Sequence, residues 1–295
     1  MTDAFMLSEF LNEYPLYFYL FTGALGLTVG SFLNVVILRL PEMMQREWRC
    51  DCRALLELEA DSADNEDAKL SLSFPGSHCP HCQHAIKPWE NIPVISFLFL
   101  RGRCANCAAA ISWRYPLVEL ATAAASVTVA FHIGAEPALL AYLLLTWSLI
   151  ALAVIDFDTQ LLPDDITLPL LWAGLLFNLF LGPVTPADAV LGAAAGYLLL
   201  WSIYWLFKFA TGKEGMGYGD FKLLAALGAW LGWQSLPIII LLSSAVGAVL
   251  GILIIVVRGK DRSHPLPFGP YLAAAGWISL LWGSALSAAL FTGSL

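Results

Sequence analysis

The chain has 295 residues, of which 59% are hydrophobic and only 13% charged, with a formal net charge of −8. A soluble domain carries about 25% charged residues, so this deficit indicates that most of the surface meets lipid rather than water. The Lys and Arg residues are scattered over loops between apolar segments and form no basic face, which excludes a nucleic-acid partner.

The first predicted element is a membrane span near residues 16–38. A helix needs roughly 20 apolar residues to cross about 30 Å of hydrocarbon. The segment before this run is acidic, with Asp3, Glu9 and Glu13, and the first basic residue of the chain is Arg39. Because a cleavable signal peptide begins with a basic region, we expect the run to be retained.

Seven further apolar runs predict an all-α polytopic membrane protein with about eight transmembrane helices. They lie near residues 117–135, 138–155, 166–182, 188–207, 221–235, 237–257 and 268–292. The run at 221–235 is short, but Pro237 and the flanking charges Lys222 and Arg258 favour a hairpin over one very long helix.

The basic residues predict the orientation, because Lys and Arg are retained on the cytoplasmic side. With a periplasmic amino terminus, the cytoplasmic stretches are 39–116, 156–165, 208–222 and 258–267. These four stretches contain all 15 Lys and Arg residues of the chain. A wrong number of spans would place some of them on the other side.

Two cysteine pairs, Cys79-Pro-His-Cys82 and Cys104-Ala-Asn-Cys107, lie in the soluble stretch 39–116 with 21 residues between them. Paired C-x-x-C motifs at about this separation are typical of a tetrahedral Zn²⁺ site. The alternative is a pair of redox-active dithiols, which the reducing cytoplasm disfavours. Four thiolates leave no open coordination position, so the sequence predicts a small cytoplasmic zinc-binding module whose metal is structural.

Several residues of this stretch lie outside the cysteine pattern. We interpret His78, His81 and His84 as bystanders, and Cys50 and Cys52 as free thiols. The acidic run around residues 57–67 is interpreted as a solvated connector.

Carboxylates at the edge of the hydrocarbon are costly, and each is therefore a functional hypothesis. Asp156 ends the third predicted span, and Asp220 follows Gly217-Tyr-Gly219 and opens the sixth, so both lie at cytoplasmic helix ends at the same depth. In such a pair one carboxylate takes a proton from water while its protonated partner polarises a peptide carbonyl. The glycines let an extended substrate approach the backbone closely.

A structural role is also open for each of these two carboxylates, and the sequence alone does not show that Asp156 and Asp220 touch. Asp is a favoured N-cap residue, so Asp220 could simply cap its helix. Asp156 could instead form an interfacial charge pair with Lys213 or Lys222.

Three more acids near predicted span ends have structural interpretations. Asp164 or Asp165 follows Pro163 and precedes the fourth span, and we favour a helix cap there. Glu119 could form a charge pair with Arg114 near the cytoplasmic end of the second span.

An ordered set of motifs covers almost the whole chain. The set comprises Gly30-Ser-Phe-Leu-Asn34-Val-Val-Ile-Leu-Arg39-Leu-Pro41, Pro88-Trp-Glu90-Asn91-Ile-Pro93, Arg101-Gly102-Arg103-Cys104, Asp156-Phe-Asp158 leading to Leu162-Pro163-Asp164, and Gly217-Tyr-Gly219-Asp220-Phe-Lys222. It resembles the bacterial prepilin peptidases, also called type IV leader peptidases, which usually add an N-methyltransferase activity. A lone G-x-G-D would be a weak signal, whereas the ordered set is specific.

The resemblance implies that Asp156 and Asp220 are the catalytic aspartates of an inner-membrane enzyme. Its substrates would be type 4 prepilins and type II secretion pseudopilins, cut after a leader-peptide glycine at the cytoplasmic face. The new amino terminus would then be methylated from S-adenosylmethionine.

The site for S-adenosylmethionine is less defined, because no Rossmann glycine fingerprint follows a predicted strand. By location the methyl donor should meet the cytoplasmic module. Candidate residues in the motifs there are Asn34, Glu90, Asn91 and Gly102. Each of them could instead serve as a structural turn or cap.

The predicted organisation has three parts: residues 1–38 with the first span, residues 39–116 as the zinc-binding and methyltransferase-associated module, and residues 117–295 as the membrane peptidase domain. The main alternative function is a carboxylate-lined transporter with a zinc-binding regulatory module. Transporters of that kind tend to show repeat symmetry and midplane charges, whereas these acids lie at one edge. A methyltransferase without protease activity is a second possibility.

Overall fold

The computed structural model describes residues 13–57, 70–258 and 267–289, which form helices and no β-strand. The predicted all-α architecture is confirmed. The helices are α1 (Pro15–Leu55), α2 (Ile95–Phe99), α3 (Arg114–Ile133), α4 (Ala138–Thr159), α5 (Asp164–Phe180), α6 (Pro186–Thr211), α7 (Tyr218–Leu231), α8 (Leu236–Arg258) and α9 (Gly269–Ser287), with short 3₁₀ helices at Pro88–Asn91 and Trp233–Ser235.

Five helical segments in the described parts of the chain are long and apolar enough to cross a membrane. They are α1, α3, α4, α6 and the segment Trp233–Leu253, which covers most of α8. The predicted runs at 166–182, 221–235 and 268–292 are also helical over most of their length, but a total of eight spans stays a prediction. The acidic connector around 57–67 lies largely outside the described residues.

Helix α1 extends far beyond the predicted end of the first span at residue 38. It continues through Pro41 to Leu55. Past the apolar run the helix is polar and mostly exposed, and it carries an i,i+4 ion pair between Arg46 and Glu42 at 2.7 Å, which supports the helical conformation. The boundary was missed because the apolar run ends before the helix does.

The chain divides into two compact units, Met1–Leu139 and Leu140–Leu295. In the first unit α1 packs directly on α3, because small residues allow a close approach. A Cβ atom on Gly30 would lie 2.7 Å from the Glu119 Cα, and one on Gly26 would lie 2.7 Å from the Ala123 Cα. The division of the chain by expected function into residues 1–38, 39–116 and 117–295 remains a prediction.

In the second unit α7 is the central element. Every residue from 220 to 230 is buried except Lys222. Helix α6 packs backbone to backbone on α7, where Gly192 faces the Gly228 carbonyl, and Trp230 Nε1 donates to the Leu170 carbonyl of α5 at 2.8 Å. Gly232, at φ 80°, ends the helix. The short α7 is therefore packed inside the protein, with Asp220 in its first turn.

Candidate active site and metal centre

Asp156 lies in the last turn of α4 with only 5% of its surface exposed. Its Oδ2 accepts a hydrogen bond of 2.9 Å from the Gly269 N–H at the start of α9. A Cβ atom on Gly269 would lie 2.7 Å from Oδ2, so this contact requires glycine. The start of one helix thus orients the carboxylate at the end of another.

Asp220 lies in the first turn of α7 and is 6% exposed. The N-cap of α7 is Gly217, so the interpretation of Asp220 as N-cap is wrong. The Asp220 N–H donates to the Gly217 carbonyl at 3.3 Å, but the carboxylate oxygen Oδ1 has no partner among the described residues. A buried polar atom without a partner is destabilising, so its retention calls for an explanation, such as a bound water molecule or a functional role.

The structure brings the two aspartates together. A Cβ atom on Gly219 would lie 2.7 Å from Leu162 Cβ, and one on Gly269 would lie 3.2 Å from Leu162 Cδ2. The Leu162 side chain therefore lies against the backbone next to Asp220 and against the donor to Asp156. The two carboxyl groups are close enough to interact electrostatically. The shared depth predicted from the sequence fits this arrangement.

Neighbouring charges have partners of their own. Lys222 Nζ binds both carboxylate oxygens of Asp164 at 2.7 Å, so the suggested pair of Lys222 with Asp156 is replaced by this one. The N-cap of α5 is Pro163, which makes the cap expected at Asp164 or Asp165 wrong. Helix α5 starts one residue earlier than a cap at Asp164 requires.

The four cysteine sulfurs of the predicted metal site lie within 4.8 Å of one another. The Sγ atoms of Cys79 and Cys107 are 3.8 Å apart, and those of Cys82 and Cys104 are 3.9 Å apart. A Zn–S bond of about 2.3 Å places tetrahedral ligands about 3.8 Å from each other, so the group fits Zn²⁺. Cys50 and Cys52 are exposed near the end of α1 and lie outside this group.

Hydrogen bonds favour the thiolate form at two of the four sulfurs. Hydrogen bonds from the His84 backbone and the Asn106 side chain lower the pKa of the Cys82 thiol to about 6. The Cys107 backbone lowers the pKa of the Cys104 thiol. Thiolates are the metal-binding form of cysteine.

The metal module is built from two equivalent loops, a repeat that the sequence analysis did not detect. In the first, the Cys79 N–H donates to the His84 carbonyl, and in the second the Cys104 N–H donates to the Ala109 carbonyl. Isolated bridges join His78 to Ala85 and Arg103 to Ala110. The repeated positions share little beyond the two cysteines and an Ala-Ile pair, which explains why the pattern was missed.

A cavity of about 410 Å³ lies in the first unit between α1, α3 and the metal module. Asn34, Glu90 and Asn91, three of the four residues predicted for the methyl donor, line it. Gly102 is not among its lining residues; it adopts φ 67° with its backbone against the Phe97 ring, as a turn residue.

The carboxylate of Glu90 has defined partners. Its Oε2 accepts from the Lys87 N–H at 3.0 Å and lies 3.2 Å from His84 Nε2. The Lys87 N–H lowers the pKa of Glu90. Asn34 Nδ2 donates to the Tyr115 carbonyl at 3.1 Å. Both side chains therefore hold the cavity wall in place.

Two family models match the chain, one in each unit. The bacterial peptidase A24 N-terminal domain matches residues 24–133, and the type IV leader peptidase family matches residues 143–252. No solved structure matches the chain.

Relatives named prepilin leader peptidase/N-methyltransferase are similar over nearly the full length. The protein from Aeromonas hydrophila is 57% identical over 96% of this chain and 97% of its own. Those from Stutzerimonas stutzeri and Pseudomonas aeruginosa are 58% and 56% identical, each over 95% of this chain and 96% of its own.

Proposed function

Because this chain belongs to the type IV leader peptidase family, we propose that it removes the leader peptide of prepilins and pseudopilins and then N-methylates the new amino terminus. The observation that supports the peptidase most directly is the buried Asp220 carboxyl group beside Asp156, with one oxygen lacking a partner among the described residues. The transporter hypothesis has no support, since the full-length relatives are named as enzymes.

Peptide hydrolysis by Asp156 and Asp220 needs no covalent intermediate. One carboxylate takes a proton from a water molecule, whose oxygen attacks the scissile carbonyl carbon. The other, protonated, donates to the carbonyl oxygen as negative charge develops there. The proton taken from water then passes to the leaving amine. Two carboxyl groups that lie close together in surroundings poor in water do not both ionise readily. One is therefore charged and acts as the base, while the other is protonated and acts as the donor.

We assign Zn²⁺ to the thiolates of Cys79, Cys82, Cys104 and Cys107. The sulfur separations and the four-cysteine donor set support a closed, structural site. When bound, the metal would hold together a module too small to fold on its own core.

The methyl donor, S-adenosylmethionine, is assigned to the cavity of the first unit. Its volume falls within the usual range for ligand pockets, about 300–1,000 Å³, and Asn34, Glu90 and Asn91 supply polar groups in its wall. When bound, the donor would supply an activated methyl group. Gly102 contributes through the turn that supports Phe97 rather than by direct contact.

The protein is a multi-pass membrane protein, and we assign its amino terminus to the periplasm. The placement of every Lys and Arg residue in four predicted cytoplasmic stretches supports this orientation. Asp156 and Asp220 would then act at the cytoplasmic face of the inner membrane, in contact with lipid.

The test is an assay of the purified protein on a full-length prepilin, followed by mass spectrometry. We expect loss of the leader peptide and addition of one methyl group to the new amino terminus in the presence of S-adenosylmethionine. A prepilin that stays intact, with the protein shown to be folded, would contradict the proposed function.

A further inference from the structure

Glu119 is a buried carboxylate for which the peptidase mechanism has no use. It lies on α3, is 8% exposed, and its side chain lines the cavity of the first unit. The same helix face carries the buried Thr122 and Ser126, so packing on α1 does not require an ionisable group. An acid in a membrane-spanning helix is a functional hypothesis by default.

The partners that the structure gives Glu119 are neutral. Its Oε2 accepts from the Val94 N–H at 2.8 Å, and the uncharged Ser31 side chain lines the same cavity wall. Such donors orient a carboxylate without neutralising its charge. An ammonium group in the cavity would neutralise it, and attraction between opposite charges is strong where water is largely excluded.

The Val94 N–H reaches Glu119 through a strained backbone. Val94 adopts φ 58° and ψ −46°, a conformation that is a genuine outlier for a β-branched residue. Strained backbone of this kind tends to cluster at ligand sites. The chain between the first cysteine loop and α2 is thus held so that it directs a donor at this carboxylate.

The second acid in the cavity wall is already engaged. Glu90 binds the Lys87 N–H and His84 through one oxygen, so its partners include an imidazole of the metal module. Of the two, Glu119 has the surroundings of an acceptor for a cationic substrate group.

We propose that Glu119 binds the new N-terminal ammonium group of the cleaved pilin and accepts its proton before methyl transfer. This inference rests on the proposed methyltransferase function and names a substrate-binding residue for it. An α-amino group has a pKa of about 7.7–8.0, so at neutral pH it is mostly protonated and not nucleophilic.

The step balances without a further reactant. One N–H proton passes from the ammonium group to the Glu119 carboxylate, which frees the nitrogen lone pair. The nitrogen then forms a bond to the methyl carbon of S-adenosylmethionine as the carbon–sulfur bond breaks. The electron pair of that bond stays on sulfur, which changes from a sulfonium to a neutral thioether.

The decisive variant is Glu119→Gln. Gln keeps an oxygen that can accept from the Val94 N–H and has almost the same volume, but it has neither the charge nor the basicity. Since a general base contributes about 10²–10⁴-fold, methylation of a precleaved pilin should fall at least about 100-fold. Binding of labelled S-adenosylmethionine, measured by equilibrium dialysis, should stay near the wild-type value. The matched control is Glu42→Gln, an exposed acid on α1 paired with Arg46, which should change neither quantity.

A binding measurement separates recognition of the amine from a purely structural role. Wild-type protein should bind a precleaved pilin more tightly than the same pilin N-acetylated, and Glu119→Gln should lose this preference. Normal zinc content together with prepilin cleavage reports that both units of the variant are folded. Normal methylation and an intact preference in Glu119→Gln would overturn the inference while leaving the proposed function standing. Loss of S-adenosylmethionine binding would overturn it too, by placing Glu119 in the donor site. A wild-type protein that does not methylate the pilin would overturn both the role of Glu119 and the proposed methyltransferase function.

Discussion

At the scale of single residues, Asp156 and Asp220 differ in how fully they are satisfied. Asp156 Oδ2 has the Gly269 N–H as a donor, whereas Asp220 Oδ1 has no partner among the described residues. Leaving a buried acceptor unpaired costs about 1–3 kcal/mol. During hydrolysis a water molecule can donate to this oxygen, or the protonated carboxyl group can donate its O–H to the substrate carbonyl, which accounts for the open position.

Asp156→Asn and Asp220→Asn should each reduce prepilin cleavage by several orders of magnitude, because an amide can neither take nor give the proton and members of such a pair act as a unit. Asp158→Asn and Asp164→Asn are the matched controls and should lose much less. The measurement is the initial cleavage rate of folded protein. A folded Asp220→Asn variant that cleaves at nearly the wild-type rate would refute the mechanism.

Gly269→Ala should slow cleavage about 10- to 100-fold, since misplacement by about 1 Å costs up to about 10². The new Cβ would lie 2.7 Å from Asp156 Oδ2 and 3.0 Å from its Cγ, so the carboxylate must move. Gly247→Ala on α8 is the control, because its Cβ would make only an ordinary 3.4 Å contact with Tyr271. Equal cleavage rates for the two variants would show that the Gly269 contact is not needed.

The sequence predicts only those parts of the site that depend on a recognisable side chain. Asp156 and Asp220 stand out as acids at the ends of apolar runs. Gly269 did not, because it acts through a backbone N–H on a partner 113 positions away. A Gly-Pro pair before the last apolar run indicates a helix start and says nothing of the carboxylate it contacts.

At the scale of elements, the length of an apolar run predicts a helix well, but it does not predict whether that helix contacts lipid or protein. The run at 221–235 is apolar enough to suggest a membrane span, whereas the structure buries α7 among α5, α6 and α9. An apolar helix surface packs equally well against lipid or protein, so the sequence does not distinguish the two. The end of α1 was missed because its last turns are polar and exposed, so no apolar run marks them.

The two cysteine loops make a prediction at this scale. Metal analysis of the wild-type protein should give about one zinc per chain, and Cys79→Ser or Cys104→Ser should reduce it strongly, because each removes one of four thiolate ligands. Cys50→Ser is the control and should keep the metal, since Cys50 lies outside the four-sulfur group. Equal zinc content in Cys50→Ser and Cys104→Ser would contradict the assignment.

At the scale of the whole molecule, the proposed orientation can be tested directly. Reporter fusions at residue 213 should read as cytoplasmic, and fusions at residue 135 or 185 as periplasmic, because all Lys and Arg residues then lie on one side. A periplasmic signal at residue 213 would move Asp220 to the other face of the membrane and remove the argument from shared depth.

Each proposed activity is built from the residues of one unit: the cavity and the metal group lie within the first, and the aspartates lie within the second. Asp220→Asn should therefore bind S-adenosylmethionine normally and methylate a precleaved pilin, although it cannot cleave. Cys104→Ser should lose most methylation, while its cleavage falls only as far as the module helps to hold the substrate. The measurement is zinc content together with both activities on one set of variants. Full methylation by a zinc-free protein would show that the metal is dispensable, and a cysteine variant that methylates normally but does not cleave would reverse the assignment of the two activities.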